Sequence, residues 1–340
     1  MRKVAVILFN LGGPDSLEAV RPFLFNLFND EAIIGLPQPA RAALAGLIAN
    51  ARGQAAQLNY AHIGGRSPLL DETKAQAHAL EAKLAESDTD IAFKCFSAMR
   101  YWKPFTEQAA YDAESWGAEE AVLLPLYPQF SSTTTASSLK AWRRASHLPA
   151  SAICCYPAGA QFARAHANAI LDAWRTGGEP PSPRVVFSAH GLPERVIKSG
   201  DPYQWQVEQS VAAVRTLLPQ NWQCRVAYQS RVGPLKWIGP STLEEIETAG
   251  RDRVGLIVSP IAFVSEHVET LVELDIDYAK AAKQACVPFY LRAKTLGVAP
   301  DFIDGLASLV VNAVGKTKSV RSESGERICP GKFRLCPYRA

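Results

Sequence analysis

Short apolar segments alternate with longer amphipathic segments along the chain. The apolar segments are too short for ordinary helices and are typical of buried strands. They predict strands at 3–9, 91–97, 120–126, 151–156, 184–189, 224–230 and 253–259. Apolar residues at helical spacing predict helices near 15–29, 69–86, 104–115, 136–145, 160–175, 203–217, 241–248, 266–281 and 301–314. This alternation predicts an α/β fold of parallel sheets covered by helices on both faces.

The pattern of the first half recurs in the second half. Strand 91–97 leads through a helix to strand 120–126, which carries Pro125 at its end. Strand 224–230 leads in the same way to strand 253–259, which is followed by Pro260. Two similar α/β domains, related by duplication, explain this repeat.

We therefore expect an N-terminal domain over residues 1–157 and a C-terminal domain over 158–314. The last helix, 301–314, could pack on either domain. Residues 315–340 follow as a basic, cysteine-containing tail.

Composition and charge narrow the functional classes. The chain has 340 residues, 48% of them hydrophobic and 20% charged, which is typical of a globular protein. The start, MRKVAVILFNLGGP, fits a first strand better than a signal peptide, so we expect a cytoplasmic protein. Residues 316–340 hold seven Lys or Arg and two Glu, which leaves the rest close to neutral and gives no reason to expect nucleic-acid binding.

Open parallel sheets bind ligands at the carboxyl ends of their strands. His190 lies at such an end and is followed by Gly191 and a proline. A histidine there can act as a base near neutral pH or as a metal ligand. The alternative is a loop histidine that bonds only to backbone.

A second strand end leads into an acidic helix. On an ideal helix Glu266, Glu269, Glu273 and Asp277 fall within an arc of about 80°, whereas Asp275 points the opposite way. Stacked carboxylates repel one another unless protons or cations intervene. The stripe is therefore either a solvated face or a track for a divalent cation of hard to borderline type.

Aromatic and cationic residues follow several other strand ends. Each of them could be core, but together they predict a cleft for a flat, apolar, anionic ligand beside a divalent metal, and a porphyrin with propionate arms fits that description. Hydroxyls of the segment 131–138 offer an anion seat. The other residues of this set are Tyr60, Tyr101, Trp102, Tyr127, Phe130, Trp237, Phe263, Arg100 and Arg231.

Several long motifs, in order, resemble the ferrochelatases, which insert ferrous iron into a porphyrin in haem synthesis. They are NLGGPDS, NYAHIGGRSPL, AMRYWKPFTEQA, LPLYPQFSSTTTASS, SAHGLPERVIKSGDPY, YQSRVGPLKWIGPST and SPIAFVSEHVETLVELDIDY. The resemblance implies two Rossmann-like domains, each with a four-stranded parallel sheet flanked by helices.

The resemblance also implies roles for individual residues. His190 and Glu269 match the family's catalytic and metal-binding pair, and Glu273 and Asp277 match an accessory acidic path for metal or protons. His267 matches a histidine that orders the site, and Glu266 is undecided between ordering the helix start and beginning the path. The positions expected to contact porphyrin are Asn10, Leu11, Gly12, Gly13, Pro14, Tyr60, Arg100, Ser131 and Trp237.

The helix that carries these acids is expected to depart from regular geometry. On an ideal helix His267 and Glu269 diverge by about 160°. In the family the helix has a π-type widening, which functional helices often carry.

The chain has seven cysteines, and an odd number without an export signal indicates reduced thiols. Some ferrochelatases hold a 2Fe–2S cluster with one internal and three tail cysteines. Cys154, Cys155, Cys329 and Cys336 match that arrangement in part, but Tyr338 stands where a third tail cysteine is expected. The alternative is a set of vestigial or redox-sensitive thiols.

The resemblance thus predicts a non-redox metal chelatase that converts protoporphyrin IX and Fe²⁺ to protohaem, with no cofactor required for insertion. The alternatives are a coproporphyrin III ferrochelatase and a haem or metal carrier without insertion activity. The apolar segment 21–37 either forms a lip that makes peripheral contact with the inner membrane or belongs to the core. No oligomeric state is predicted.

Overall fold

The strands of the computed structural model, which describes residues 1–87, 90–231, 233 and 235–338, form two parallel sheets. The first has the order β2-β1-β3-β4-β9 and the second has the order β6-β5-β7-β8. The strands are β1 (Arg2–Asn10), β2 (Ile91–Met99), β3 (Glu120–Pro125), β4 (Ala150–Cys155), β5 (Arg184–His190), β6 (Gln223–Gln229), β7 (Leu256–Ser259), β8 (Tyr290–Arg292) and β9 (Val320–Ser322).

Helices cover both sheets. They are α1 (Val20–Phe28), α2 (Ala40–His62), α3 (Leu69–Ala85), α4 (Thr106–Ser115), α5 (Thr135–Ala145), α6 (Ala160–Thr176), α7 (Glu194–Lys198), α8 (Tyr203–Arg215), α9 (Thr242–Asp252), α10 (Ala279–Gln284) and α11 (Pro300–Ala313). A π-helix, Glu269–Tyr278, directly precedes α10. The described helices include none that is both long enough and apolar enough to cross a bilayer.

The central strands are buried on both faces. Residues 4–9 of β1 and all four residues of β7 are fully enclosed. A nearly continuous apolar run is what a parallel strand between two helix layers requires, since neither face meets water. These apolar runs are the feature from which the sequence predicts the strands.

The expected four strands are confirmed for the second sheet and wrong for the first. In the first sheet β9, from the tail, adds a fifth strand by pairing in parallel with β4 through Ala152 and Val320. Without β9 the backbone groups on that side of β4 would be left at an open edge. The three-residue strand lies in a polar segment, so it leaves no periodic signal in the sequence.

One long helix also departs from the sequence pattern. No helix was predicted over residues 40–62, where α2 runs for 23 residues against α1. Its alanines and scattered exposed leucines give weak periodicity, because only four of its residues are buried. The last helix, α11, packs against both α3 and α6, and the break between the two sheets falls within residues 156–183.

Candidate functional site

A cleft of about 1450 Å³ opens where the carboxyl ends of the two sheets meet. The exits of β1, β3, β5 and β6 supply its floor, and α1, α2 and the π-helix supply its walls. Because parallel strands of each sheet end at the same edge, distant parts of the chain converge here.

His190 is the last residue of β5 and opens onto this cleft, with 38% of its side chain exposed. The backbone around it is fixed on two sides. Tyr203 donates its hydroxyl to the His190 carbonyl at 3.0 Å, and the Gly191 N–H donates to the Gln229 carbonyl at 2.8 Å. The imidazole is thus presented at the end of a rigid strand.

Glu269 faces His190 from the first position of the π-helix. Its Oε2 lies 2.9 Å from His190 Nδ1 and 3.6 Å from His267 Nε2. The π-type widening expected for this helix is confirmed. His267 lies outside it, just before the first helical residue Val268, so its imidazole reaches Glu269 from the preceding segment.

The convergence of two imidazoles on one carboxylate shifts the pKa of each group in the central pair. Burial alone would raise the pKa of Glu269, but the charges and hydrogen bonds of His190 and His267 outweigh it and hold that pKa far below its usual range. Burial alone would lower the pKa of His190, but the Glu269 carboxylate more than offsets this, so the pKa of His190 is raised.

Glu273, four residues after Glu269 on the π-helix, accepts hydrogen bonds from four donor groups. It accepts from the Ser230 N–H at 2.9 Å, the Tyr278 hydroxyl at 2.7 Å, the Gln229 amide at 3.1 Å, and the Ser230 hydroxyl. Glu269, Glu273 and the exposed Asp277 all line the cleft in sequence. These three carboxylates, the acidic line, begin with a partner of His190 and end with a residue exposed to solvent.

Glu266 lies outside the lining of the cleft and braces the start of this helix. Its carboxylate accepts from Arg292 at 2.7 Å, from the Thr270 hydroxyl at 2.5 Å and from the Thr295 N–H at 3.1 Å. Thr270 in turn accepts from the His267 N–H at 3.1 Å.

The loop after β1 contributes three of its five predicted residues to the cleft, namely Asn10, Leu11 and Gly12. Gly12 has a φ of +83°, and a Cβ there would lie 2.9 Å from the backbone nitrogen of Trp102. Any other residue would therefore require the neighbouring backbone to move. Gly13 and Pro14 lie behind this surface against Ser67.

The remaining predicted porphyrin contacts divide into two groups. Tyr60, Trp237 and Ser131 line the cleft, and the Ser131 hydroxyl also donates to Asp201 at 3.0 Å. Arg100 does not line it. Its guanidinium lies 2.8 Å from Asp30 and donates to the Ser137 hydroxyl at 2.7 Å.

Other arginines line the cleft instead. Arg52 of α2 projects there and stacks over Phe28, with its guanidinium carbon 5.7 Å from the ring centre. Arg195 of α7 and Arg231 after β6 are further lining cations. The sequence pattern missed Arg52 because α2 itself was missed, and a lone arginine in an alanine-rich segment carries no distinguishing signal.

The four cysteines considered for a cluster come together behind α8. The sulfurs of Cys154 and Cys155 lie 3.3 Å apart. The Gln206 amide donates to Cys155 at 3.3 Å and to Cys329 at 3.2 Å, and Cys329 contacts Cys336.

The Gln206 amide thus contacts two of the four sulfurs, and because both free thiols and metal-bound thiolates accept such hydrogen bonds, the cluster stays a prediction. The described residues also contain no group of three or more His, Cys, Asp or Glu arranged to hold a metal ion. Gln206 is fully buried and accepts from the Phe130 N–H at 2.7 Å, so it is held in place from the other side.

Comparison with known proteins gives consistent matches. The family model described as Ferrochelatase matches residues 3–314. A protein named ferrochelatase from Phenylobacterium zucineum is 53% identical over 99% of this chain and 98% of its own length. One of the same name from Pelagibacter ubique is 46% identical over 98% of each chain.

Solved structures agree in fold. SirB from Bacillus subtilis with Fe³⁺ superposes with a TM-score of 0.53 at 12% identity, covering 93% of this chain and 97% of its own. CbiX, the terminal enzyme of sirohaem biosynthesis in denitrifying bacteria, gives a TM-score of 0.51 at 14% identity over 92% of this chain and 100% of its own.

Proposed function

This chain belongs to the ferrochelatase family and is a metal chelatase that inserts iron into a porphyrin, and from that premise we propose that its porphyrin is protoporphyrin IX and its product protohaem. The observation that carries the proposal is the apolar wall of the cleft into which the paired His190 and Glu269 open. Fe²⁺ is a substrate here, and insertion requires no change in its oxidation state.

Removal of the pyrrole protons is the task we assign to His190. A free porphyrin carries two N–H groups that point into the hole the metal must enter. Glu269 occupies His190 Nδ1, so Nε2 is the nitrogen left to accept the two protons in turn, and the partly exposed imidazole passes the first to water before it takes the second. The raised pKa of His190 makes it a stronger base than an isolated imidazole, and the carboxylate stabilises the imidazolium that forms.

Passage of the metal is the task we assign to the acidic line. Glu269, Glu273 and Asp277 offer single carboxylates in succession, not a closed set of ligands. Oxygen ligands of this kind suit a divalent cation that must be passed on. Tight binding would lower the rate of transfer, because the porphyrin must compete for the metal.

Seating of the porphyrin depends on the rest of the lining. Phe23, Leu24, Leu27, Ile33 and Ile48 form an apolar wall that suits the vinyl and methyl edge of protoporphyrin. Arg52, Arg195 and Arg231 are cations that can meet propionates. An apolar wall favours two propionates over four, because each buried carboxylate needs a partner.

Contact with a membrane surface belongs to the same proposal. Leu36, Leu47 and Leu58 are exposed on the segment that follows α1 and on α2, next to the apolar wall. We propose a cytoplasmic protein that touches the inner membrane through this rim. The fraction of protein that sediments with lipid vesicles should fall in Leu47→Glu. It should stay unchanged in Leu217→Glu, because Leu217 is exposed but lies outside this rim.

Anaerobic assay with both porphyrins tests the proposal. Fe²⁺ is mixed with protoporphyrin IX or coproporphyrin III, and the metalloporphyrin is followed by absorbance. We expect higher kcat/KM with protoporphyrin IX. Higher kcat/KM with coproporphyrin III would favour the alternative substrate, and tight binding without insertion would favour a carrier.

A further inference from the structure

Arg292, at the end of β8, bridges two carboxylates of the acidic segment. Its Nε and Nη2 donate to the two oxygens of Asp275 at 2.6 and 2.8 Å, and its Nη1 donates to Glu266 at 2.7 Å. Only 12% of the arginine side chain is exposed. Although Asp275 is exposed, a guanidinium that is itself largely buried, paired bidentately and bound to a second carboxylate, fixes geometry more firmly than a single surface ion pair.

The positions of the two carboxylates matter. Glu266 precedes the helix, whose first helical residue is Val268, whereas Asp275 lies within the π-helix. One guanidinium therefore ties the segment before the helix to a residue seven positions inside it.

The acidic residues that the reaction needs, Glu269 and Glu273, lie in the sequence between Glu266 and Asp275, the two residues that Arg292 binds. Glu266 also accepts a hydrogen bond from the Thr270 hydroxyl, and Thr270 accepts one from the His267 N–H. The hydrogen-bond network of Arg292 therefore extends to His267. Tyr290, on the same strand, donates its hydroxyl to the Leu274 carbonyl of the π-helix at 2.8 Å.

We propose that Arg292 is a positioning residue that fixes the π-helical register and thereby holds Glu269 against His190 and Glu273 in the cleft. This inference rests on the proposed iron insertion at Glu269. Arg292 does not line the cleft, so it acts on the reaction only through the helix. β8 is thus an edge strand whose side chains brace the catalytic helix.

The test compares Arg292→Met with a matched control, Arg184→Met. Arg184 is also a buried arginine of the second sheet, and it pairs with Asp252 at 2.6 Å without touching the π-helix. We expect Arg292→Met to lower kcat for insertion by about 10- to 100-fold, since small displacements of reacting groups have effects of that size. The KM for porphyrin should stay within about twofold, because the porphyrin contacts named above are untouched. The control should keep its kcat.

Two further variants separate positioning from loss of folding. Arg292→Lys can serve only one acid at a time and should restore part of kcat. Asp275→Asn alters an exposed partner, so the fold should persist, and kcat should fall by less than in Arg292→Met. The double variant that combines Arg292→Met with Asp275→Asn should have a kcat no lower than that of Arg292→Met alone, because both changes remove the same contact.

Hydrogen exchange supplies a readout that does not depend on activity. Amides of residues 269–278 should exchange faster in Arg292→Met than in the wild type, while those of α9 should not. Unchanged exchange and unchanged kcat in Arg292→Met would overturn the inference. Failure of the wild type to insert iron would overturn the proposed function, and the exchange comparison would still decide whether Arg292 holds the helix.

Discussion

His190 and His267 converge on the same carboxylate oxygen, Glu269 Oε2, at 2.9 and 3.6 Å. His190 comes from the end of a strand and His267 from the turn before the π-helix. The carboxylate therefore holds two imidazoles in one orientation, and each imidazole stabilises its charge. Through this contact Glu269 raises the pKa of the proposed base, His190.

The first prediction concerns pH. Glu269 raises the pKa of His190, and a base must be unprotonated to act, so kcat should rise as pH rises through that raised value. In Glu269→Gln the charge is lost while burial remains, and burial lowers the pKa of an imidazole. The rising limb of the kcat–pH profile should therefore move to lower pH, although kcat itself falls.

The control for this profile is Asp301→Asn, a carboxylate on α11 that pairs with Arg164 outside the cleft. Its profile should overlay that of the wild type. A rising limb that stays in place or moves to higher pH in Glu269→Gln would refute the assignment of His190 as the titrating base.

The second prediction separates two arginines. Arg52→Ala should raise the KM for protoporphyrin about tenfold, because a charge-assisted hydrogen bond contributes roughly 1.5–3 kcal/mol. Arg100→Ala should leave that KM nearly unchanged but lower stability by about 3 kcal/mol, since buried Asp30 loses its charged partner. Steady-state kinetics and urea unfolding measure the two effects. A raised KM in Arg100→Ala together with an unchanged KM in Arg52→Ala would show that Arg100, and not Arg52, binds the porphyrin.

The third prediction concerns the tail. Phe333 is buried and packs on Trp205 with 5.7 Å between ring centres. Phe333→Ala should cost about 3 kcal/mol of unfolding free energy. Lys316→Ala, an exposed residue at the start of the tail, should change stability by less than about 0.5 kcal/mol. Equal effects of the two changes would mean that the tail does not dock on α8.

The fourth prediction addresses the cysteines. Because Tyr338 stands where a third tail cysteine is expected, protein purified without oxygen should show no cluster absorption between 300 and 600 nm, the range in which such a cluster absorbs. Iron analysis of the same sample should find no cluster iron. A visible chromophore with about two irons per chain would show that the four cysteines accept a cluster.

The sequence predicted the parts of the molecule where pattern and packing coincide. The central strands were predictable because burial on both faces demands an apolar run, and His190 because it ends such a run. These residues are tied to local periodicity, which a single sequence carries. The π-helix, by contrast, was expected only from the resemblance to the ferrochelatases.

Long-range contacts were not predictable in the same way. Arg292 lies 17 positions beyond Asp275, and nothing in its neighbourhood indicates that it bridges two acids. Arg100 follows a strand end as a ligand residue would, yet it turns to Asp30 because that buried carboxylate needs a cation. β9 is defined only by its partner β4, which the local sequence does not reveal.

The central claim is that His190 accepts the pyrrole protons that make way for iron. Anaerobic turnover of Fe²⁺ and protoporphyrin IX by His190→Ala, with porphyrin binding measured on the same sample by fluorescence, tests it most directly. We predict a loss of kcat of at least about 100-fold, which is typical when a general base is removed, with porphyrin affinity within about threefold of the wild type. Full turnover by His190→Ala would contradict the account.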